Sequence, residues 1–444
     1  MTRTTLVLGA RAPVALHAAR LLALAGDRVI VGDTHRFPLA AQSRLPAGRV
    51  RLPPPATGLE RYADALARAV EAHRVDRIVP TCEDVFFVRA AHDRWRATGA
   101  PAASATVLSP DLAVLARAHD KGRFAAHARA LGLDVPRTVR VEDRAGLDAF
   151  RARSHGHVFK PAFSRFGSRA LVGPQPRRLD ALRPSSEEPW IVQECVRGEE
   201  LCVFAWCVGG RVTMLVPYRP MWRASSTRAS PSAQASPGAR ASQGAQASSS
   251  AEAASGASGA AIMFEPLGSV EGDGETAARI GAFVSAYAEA TAWTGALSFD
   301  FIARADGACV AIECNPRMTS GVHAIGGARA FATAMEGARA PKRPLGASAG
   351  CGPLTVPAAM WLYAAPRALR EGRWREFRAD LARAGDLLDW PGDRLPRRTV
   401  PLAIMEMAWL ALRTRRGLRA ASTFDIEWNG GPELWPDDTG TSAI

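Results

Sequence analysis

The sequence is poor in lysine, and it lacks the motifs of several protein classes. Only three of its 56 basic residues are lysine. Its seven cysteines never occur in a CxxC spacing, which argues against a zinc site or a disulfide scaffold. No apolar run reaches transmembrane length, and the apolar start has no signal-peptide cleavage pattern. We therefore expect a cytoplasmic protein without stable membrane insertion.

The formal net charge of +13 suggests an anionic partner. The arginines are spread along the chain, and no aromatic-spaced basic block or finger motif is present. A nucleic-acid binder would lose affinity steeply as salt rises. We favour an anionic small molecule and predict no nucleic-acid partner.

Strands alternate with amphipathic helices over residues 1–110. Candidate strands at Thr5–Leu8, Arg28–Val31 and Arg77–Pro80 are separated by helices, which predicts a parallel, doubly wound sheet. The first turn, Gly9–Pro13, has one glycine where a dinucleotide fingerprint has three. We therefore predict no NAD site there.

The rest of the chain divides by composition. A segment at 224–260 consists mainly of Ala, Ser, Gly, Gln and Pro, which predicts a disordered insertion between two strands. Arg197-Gly198-Glu199 is predicted to form a turn. Residues 341–444 contain helical segments, of which Leu402–Arg413 would either lie on a membrane surface or, as we favour, pack on the body of the protein.

Two of the lysines stand at positions suited to phosphate binding. Lys121 opens a predicted helix, and Lys160 ends an apolar strand before a turn of small residues. A lysine is a mobile point charge that follows phosphate oxygens, whereas arginine imposes a planar fork. Either lysine alone would be interpreted as a solvated surface residue. The two lysines together with the residues described below favour a phosphate site.

A second polar group lies near residue 300. Asp300 and Glu313 are on adjacent candidate strands, so antiparallel pairing would bring the two carboxylates together. Glu313 and Asn315 then share a face of their strand. Such oxygen ligands suit Mg²⁺ held partly by nucleotide phosphates, and Arg317 would face a phosphoryl group or a carboxylate. The alternative is a hairpin whose acids are simply solvated. It is disfavoured because the other residues of these strands are mostly Leu, Phe, Ile and Val.

In this order of motifs the chain resembles the ATP-grasp superfamily over residues 1 to about 335. The motifs are Ile78–Glu83, Asp120-Lys121, Lys160-Pro161, Gln193–Glu200 and the set from Asp300 to Arg317. The resemblance implies an α/β fold with a Rossmann-like (pre-ATP-grasp) domain at 1–110. A two-lobed α+β ATP-grasp domain would follow, with its small lobe at 111–189 and its large lobe at 190–340. A mostly helical extension would occupy 341–444.

The resemblance also implies a role for each matching residue. Phosphates would be bound by Lys121, Lys160, Ser164 and Ser168; adenine by the hinge of Gln193, Glu194 and Val196; ribose by Glu200; and the metal by Asp300, Glu313 and Asn315. Lys160 and Arg317 would be catalytic. The family often has a carboxylate at Gln193, and more glycines in the loop Phe163–Arg169, where this chain has one.

Two further residues, Glu83 and His323, are candidates for contacting the substrate. Glu83 follows a predicted parallel strand, at the usual ligand crevice of an open sheet, although helix capping would explain an acid there equally well. His323 follows Arg317 in the region where relatives shape the acceptor side, and a structural histidine is the alternative.

The implied function is an ATP-dependent ligase that activates a carboxylate as an acyl phosphate, releases ADP and joins the acid to an amine. ATP and Mg²⁺, with Mn²⁺ as an alternative ion, would be the cofactors. Two alternatives stay open: a bicarbonate-activating carboxyphosphate enzyme, and an ATP-binding protein without turnover. The superfamily often dimerises, so a homodimer is one oligomeric state to expect.

Overall fold

The computed structural model describes residues 2–164, 169–224, 260–268, 273–337, 343–431 and 434, with the backbone of Ala253–Ala254. Its strands belong to three sheets. Its longer helices are Pro13–Leu24, Leu59–His73, Asp84–Thr98, Leu112–His119, Lys121–Ala130, Asp273–Ala290, Ala328–Glu336, Trp374–Arg383 and Leu395–Thr414.

The first sheet is parallel, as predicted. It contains β1 (Thr4–Leu8), β2 (Arg28–Asp33), β3 (Gly48–Arg51), β4 (Arg77–Val79) and β5 (Thr106–Val107), in the order β3-β2-β1-β4-β5. Central strand β1 is buried throughout. Because β1 and β4 are parallel neighbours, the turns that follow them meet at one edge of the sheet. Gly9 in the first turn has φ +74°, and a Cβ there would lie 2.6 Å from Thr81 Oγ1, so only glycine fits.

The second sheet is small and antiparallel. It contains β6 (Thr138–Val141), β7 (His157–Pro161), β8 (Leu171–Val172) and β9 (Trp190–Glu194), in the order β6-β9-β7-β8. Phe159, Trp190 and Leu179 pack in its own small core. The preceding helix begins at Lys121 because the Asp120 carboxylate caps it, accepting hydrogen bonds from the backbone N–H of Gly122 and Arg123.

The third sheet is the largest. It contains β10 (Arg197–Val208), β11 (Arg211–Arg223), β12 (Ala253–Ala254), β13 (Ala261–Pro266), β14 (Gly295–Ala303), β15 (Cys309–Asn315), β16 (Leu354–Thr355) and β17 (Gly385–Asp386). The order is β15-β14-β10-β11-β13-β16-β17, with β12 on β10. One face is covered by the helix Asp273–Ala290, whose Phe283 and Tyr287 contact Phe299.

One local expectation needs correction. The predicted turn Arg197-Gly198-Glu199 is instead the start of β10, because Glu199 pairs with Ala303 of β14. Gly198 is needed there for close approach, since a Cβ would lie 2.1 Å from the Ala303 carbonyl oxygen. After residue 340 the chain contains helices together with the two-residue strands β16 and β17, which extend the third sheet.

The predicted insertion at 224–260 lies mostly outside the described residues. The backbone N–H of Ala224 donates to the carbonyl of Ala260 at 2.9 Å. The two ends of the insertion are therefore adjacent and continue the pairing of β11 with β13.

The C-terminal extension packs on the first sheet. Buried ion pairs join Arg11 to Asp425 and Arg20 to Asp393, and Glu406 accepts hydrogen bonds from two backbone N–H groups after β2. Within the described ranges, no helix has both the length and the hydropathy needed to cross a bilayer. The helix Leu395–Thr414 has an exposed apolar row at Leu402, Met405, Trp409 and Leu412.

Candidate functional site

Strands β14 and β15 bring the two predicted carboxylates together. Asp300 lies directly opposite Glu313, and Ser298 lies opposite Asn315. The Asn315 side-chain amide donates to Asp300 Oδ2 at 3.3 Å. The bulge after Asp300 shifts the register by one residue, so that Glu313 rather than Ile312 lies opposite Asp300.

The two predicted phosphate lysines lie beside Glu313. Lys121 Nζ is 3.6 Å from Glu313 Oε2, and Lys160 Nζ is 4.0 Å from the same oxygen. Both lysines are buried. Burial, partly offset by Glu313, lowers the pKa of Lys160 to about 8. An anion bound beside these ammonium groups would therefore stabilise their charged forms against the cost of burial.

The lysines also contact the backbone around the site. Lys121 Nζ donates to the Ser164 carbonyl at 2.9 Å, and Lys160 Nζ donates to the Ile312 carbonyl at 3.3 Å. The buried Ser164 hydroxyl has no hydrogen-bond partner among the described residues. Ser168, the other predicted phosphate residue of this loop, lies outside the described residues.

Arg317 joins this group to the first sheet. Its Nη2 donates to Asn315 Oδ1 at 3.1 Å, and its Nε is 3.6 Å from Glu83 Oε1. The backbone N–H of Met318 donates to the Thr81 carbonyl, just after β4. Glu83 is buried and its side chain makes no capping hydrogen bond to the helix that follows, so capping does not explain this acid.

The predicted hinge connects the second and third sheets. Buried Gln193 donates through Nε2 to Thr138 Oγ1 at 3.0 Å, while its Oε1 has no partner among the described residues. Glu194 is exposed, and Val196 lies in the short connection from β9 to β10. The Gln193 carbonyl oxygen thus keeps the acceptor capacity that an adenine amino group requires.

Glu200 has a partner that sequence reasoning missed. Arg223, the last residue of β11, hydrogen-bonds to its carboxylate. Burial raises the pKa of Glu200 to about 7, although Arg223 acts in the opposite direction. The signal in the sequence was slight: a single arginine at the boundary between a strand and the low-complexity segment.

Several of these groups line a cavity of about 450 Å³. Lys160, Glu200, Asp300, Glu313, Asn315 and Arg317 line one part of it. His323, on the loop after β15, also lines it; the imidazole is buried beside His17, at a ring-centroid distance of 5.1 Å. Burial lowers the pKa of His323 well below its usual value, so the ring is neutral, and its Nδ1 has no partner among the described residues.

The polar group fits a magnesium ion that is shared with phosphates. Within the described part of the chain, no cluster of three or more His, Cys, Asp and Glu side chains forms a self-contained metal site. Two facing carboxylates and an amide oxygen instead match the incomplete set that Mg²⁺ takes from a protein when phosphates supply other ligands. The adjacent lysines would limit repulsion between the carboxylates and those phosphates.

No family model and no curated protein matches the chain. The structure of N5-carboxyaminoimidazole synthetase from Staphylococcus aureus complexed with ADP is similar, with 10% identity, a TM-score of 0.55 and coverage of 84% of this chain and 87% of that one.

Two biotin carboxylase structures are also similar. The biotin carboxylase domain dimer of Hydrogenobacter thermophilus 2-oxoglutarate carboxylase, in complex with MgADP, ADP and bicarbonate, has 12% identity and a TM-score of 0.53, covering 78% of this chain and 71% of that one. Biotin carboxylase from Campylobacter jejuni has 14% identity and a TM-score of 0.52, covering 77% and 72%. These neighbours are ATP-grasp enzymes, and the chain has the ATP-grasp fold.

Proposed function

We propose that this protein is an ATP-dependent ligase that activates a carboxylate as an acyl phosphate and joins it to an amine. The observation that carries the proposal is one constellation: Lys121 and Lys160 within 4.0 Å of Glu313, with Asp300 opposite that acid. Arg317 reaches the same group through Asn315. The neighbours crystallised with ADP or MgADP support nucleotide and magnesium use.

In this proposal each residue contacts a different part of the nucleotide, the metal ion or the substrate acid. Gln193 Oε1 accepts from adenine, Glu200 binds ribose once it is released from Arg223, and the lysines bind the phosphates. Asp300, Glu313 and Asn315 would hold Mg²⁺, which neutralises charge on the phosphates when it is bound. Arg317 orients the substrate carboxylate, while Glu83 in turn orients Arg317.

The reaction consists of two displacements. A carboxylate oxygen attacks the γ-phosphorus of ATP, and the bond from that phosphorus to the bridging oxygen breaks to release ADP. The amine nitrogen then attacks the acyl carbon, the bond from carbon to the phosphate oxygen breaks, and the nitrogen loses a proton. Buried cations hold the departing charge, which is how positioning and electrostatics lower such barriers.

A bicarbonate-activating enzyme is the second candidate. It is favoured by one observation, the bicarbonate in the complex of the Hydrogenobacter thermophilus neighbour. An ATP-binding protein without turnover is the third, and the close Arg223–Glu200 pair at the ribose position is the feature that fits it.

Magnesium-dependent ADP release separates the three candidates. The panel contains organic acids and bicarbonate, each with and without an amine, and Glu313→Gln serves as the inactive variant. Glu289→Gln, an exposed acid on the helix Asp273–Ala290, is the matched control. Release with one organic acid, lost only in Glu313→Gln, supports the ligase. Release with bicarbonate alone supports the second candidate, and ATP binding without release supports the third.

A further inference from the structure

The cavity has two chemically different ends. Lys160, Glu313 and Arg317 mark the polar end described above. The apolar lining at the other end includes residues from three distant stretches of chain: the segment after β2, the helical turn Met360–Ala364, and the helix Leu395–Thr414. We call this end the apolar chamber, and its defining side chains are Phe37, Leu39, Leu362, Ala403, Ile404 and Met407.

The helix presents a single face to the chamber. Val400, Ala403, Ile404 and Met407 line the cavity and follow the spacing of one helix face. The neighbouring Met405 points elsewhere, with 65% of its surface exposed. The chamber is therefore built by the periodicity of this helix.

Charge is distributed unequally along the cavity. The carboxylates among its described lining residues are Glu200, Asp300 and Glu313, which belong to β10, β14 and β15, and none of the six side chains that define the apolar chamber is charged. An ammonium group among these side chains would therefore be desolvated without a carboxylate in the chamber lining to pair with. The lining suits a hydrocarbon body whose carboxylate lies at the polar end, beside Arg317.

His323 lies among the residues that line the same cavity. Its buried Nδ1 lacks a partner in the described part of the chain, and its loop also supplies the cavity-lining residues Thr319 and Ser320. A neutral imidazole can bond to a polar atom of a ligand without adding charge. Hydrogen bonding beside a mostly apolar lining is the usual composition of small-molecule sites.

We propose that the apolar chamber binds the hydrocarbon body of the acid that is activated, so that the substrate is a monocarboxylate with an aliphatic chain or an aromatic ring. The inference rests on the proposed function, because that function supplies the acyl phosphate chemistry at the polar end. Bicarbonate has no apolar part with which to fill the chamber.

Calorimetric binding to the full chain tests the chamber independently of turnover. Octanoate and 4-phenylbutyrate should bind, whereas acetate should bind at least about tenfold more weakly because it buries few methylene groups. Met407→Asp should weaken octanoate at least about tenfold. Met405→Asp, the same change two residues away on the exposed face, should leave the affinity within about twofold. Ala403→Phe, which fills the chamber without adding charge, should also weaken octanoate.

The activity arm uses ADP release, with hydroxylamine to trap an acyl phosphate as a hydroxamate. Octanoate should exceed acetate in kcat/KM by about tenfold or more, and Met407→Asp should remove most of this preference. Equal turnover of acetate and octanoate, unaffected by Met407→Asp, overturns the chamber and leaves the ligase standing. Octanoate binding that Met407→Asp removes, without ADP release for any acid, supports the chamber and refutes the ligase. Absence of binding by both octanoate and 4-phenylbutyrate overturns the inference.

Discussion

Arg11 allows a sharp test of what holds the C-terminal extension in place. Its guanidinium contacts Asp33 at 2.8 Å and Asp425 at 2.7 Å, with 9%, 1% and 5% of the three side chains exposed. Burial opposes the charge of Arg11, but the two carboxylates outweigh it and raise its pKa. At neutral pH the cation is therefore fixed, and Arg11→Met would leave two acids buried without their counter-charge.

Removing one partner of a buried ion pair costs about 3–5 kcal/mol. Hydrogen bonds from the backbone N–H of Arg11 and His35 still reach Asp33, so the lower half of that range is the expectation. The matched control is Arg3→Met. Arg3 also pairs with an acid, Glu336, but the two side chains are 40% and 36% exposed, and such pairs contribute about 0–1 kcal/mol.

The assay is urea unfolding followed by tryptophan fluorescence, with the midpoint shift converted to free energy through a common slope. Arg11→Met should lower the unfolding free energy by about 3 kcal/mol, and Arg3→Met by less than about 1 kcal/mol. Equal effects of the two substitutions would refute the reasoning, since they would show that burial does not distinguish the pairs.

Three further predictions follow from other parts of the structure. Lys160→Met should raise the stability of the ligand-free protein at pH 7, because the fold lowers the pKa of Lys160 to about 8 and so disfavours its charged form; the gain should shrink from pH 8 to 10.5, while calorimetry shows weaker ATP binding. Burial lowers the pKa of His17 to about 4, so stability should fall by about 3 kcal/mol as the pH drops from 6.5 to 4, and urea titrations of His17→Asn should show a flatter profile. Deleting residues 225–257 removes only the two-residue strand β12 from the described structure and keeps the bonded Ala224 and Ala260 joined through two residues; melting temperature and ADP release should stay close to those of the full chain, and a large loss of either would contradict the composition argument.

Local pattern was enough to predict much of the fold. Alternating strands and helices indicated the parallel first sheet, and the short connection at Asp306-Gly307 indicated the hairpin that sets Asp300 opposite Glu313. Both features depend on neighbours in sequence. The error at Arg197-Gly198-Glu199 shows the limit of local pattern. Polar residues around a glycine indicate a turn, but pairing with the distant strand β14 makes this segment part of β10.

The contact partners of the candidate site residues could be identified only from the three-dimensional structure. Arg223 meets Glu200 across two long strands, and Glu83 meets Arg317 from a separate sheet. Nothing in the spacing of these residues indicated the pairs. The apolar chamber was also invisible, since its walls come from residues near 37, 362 and 404.

The C-terminal extension contributes both to the stability of the fold and to the lining of the cavity. Asp425 pairs with Arg11, while the adjacent Ile426 and the nearby Thr423 line the cavity, as Arg11 itself does. Loosening this contact would move one wall of the cavity but leave β14, β15 and the lysines in place. Substitution of Asp425 should therefore raise KM for the acid more than it weakens ATP binding. Equal losses of both would indicate that the extension supports the whole fold and has no particular bearing on the cavity.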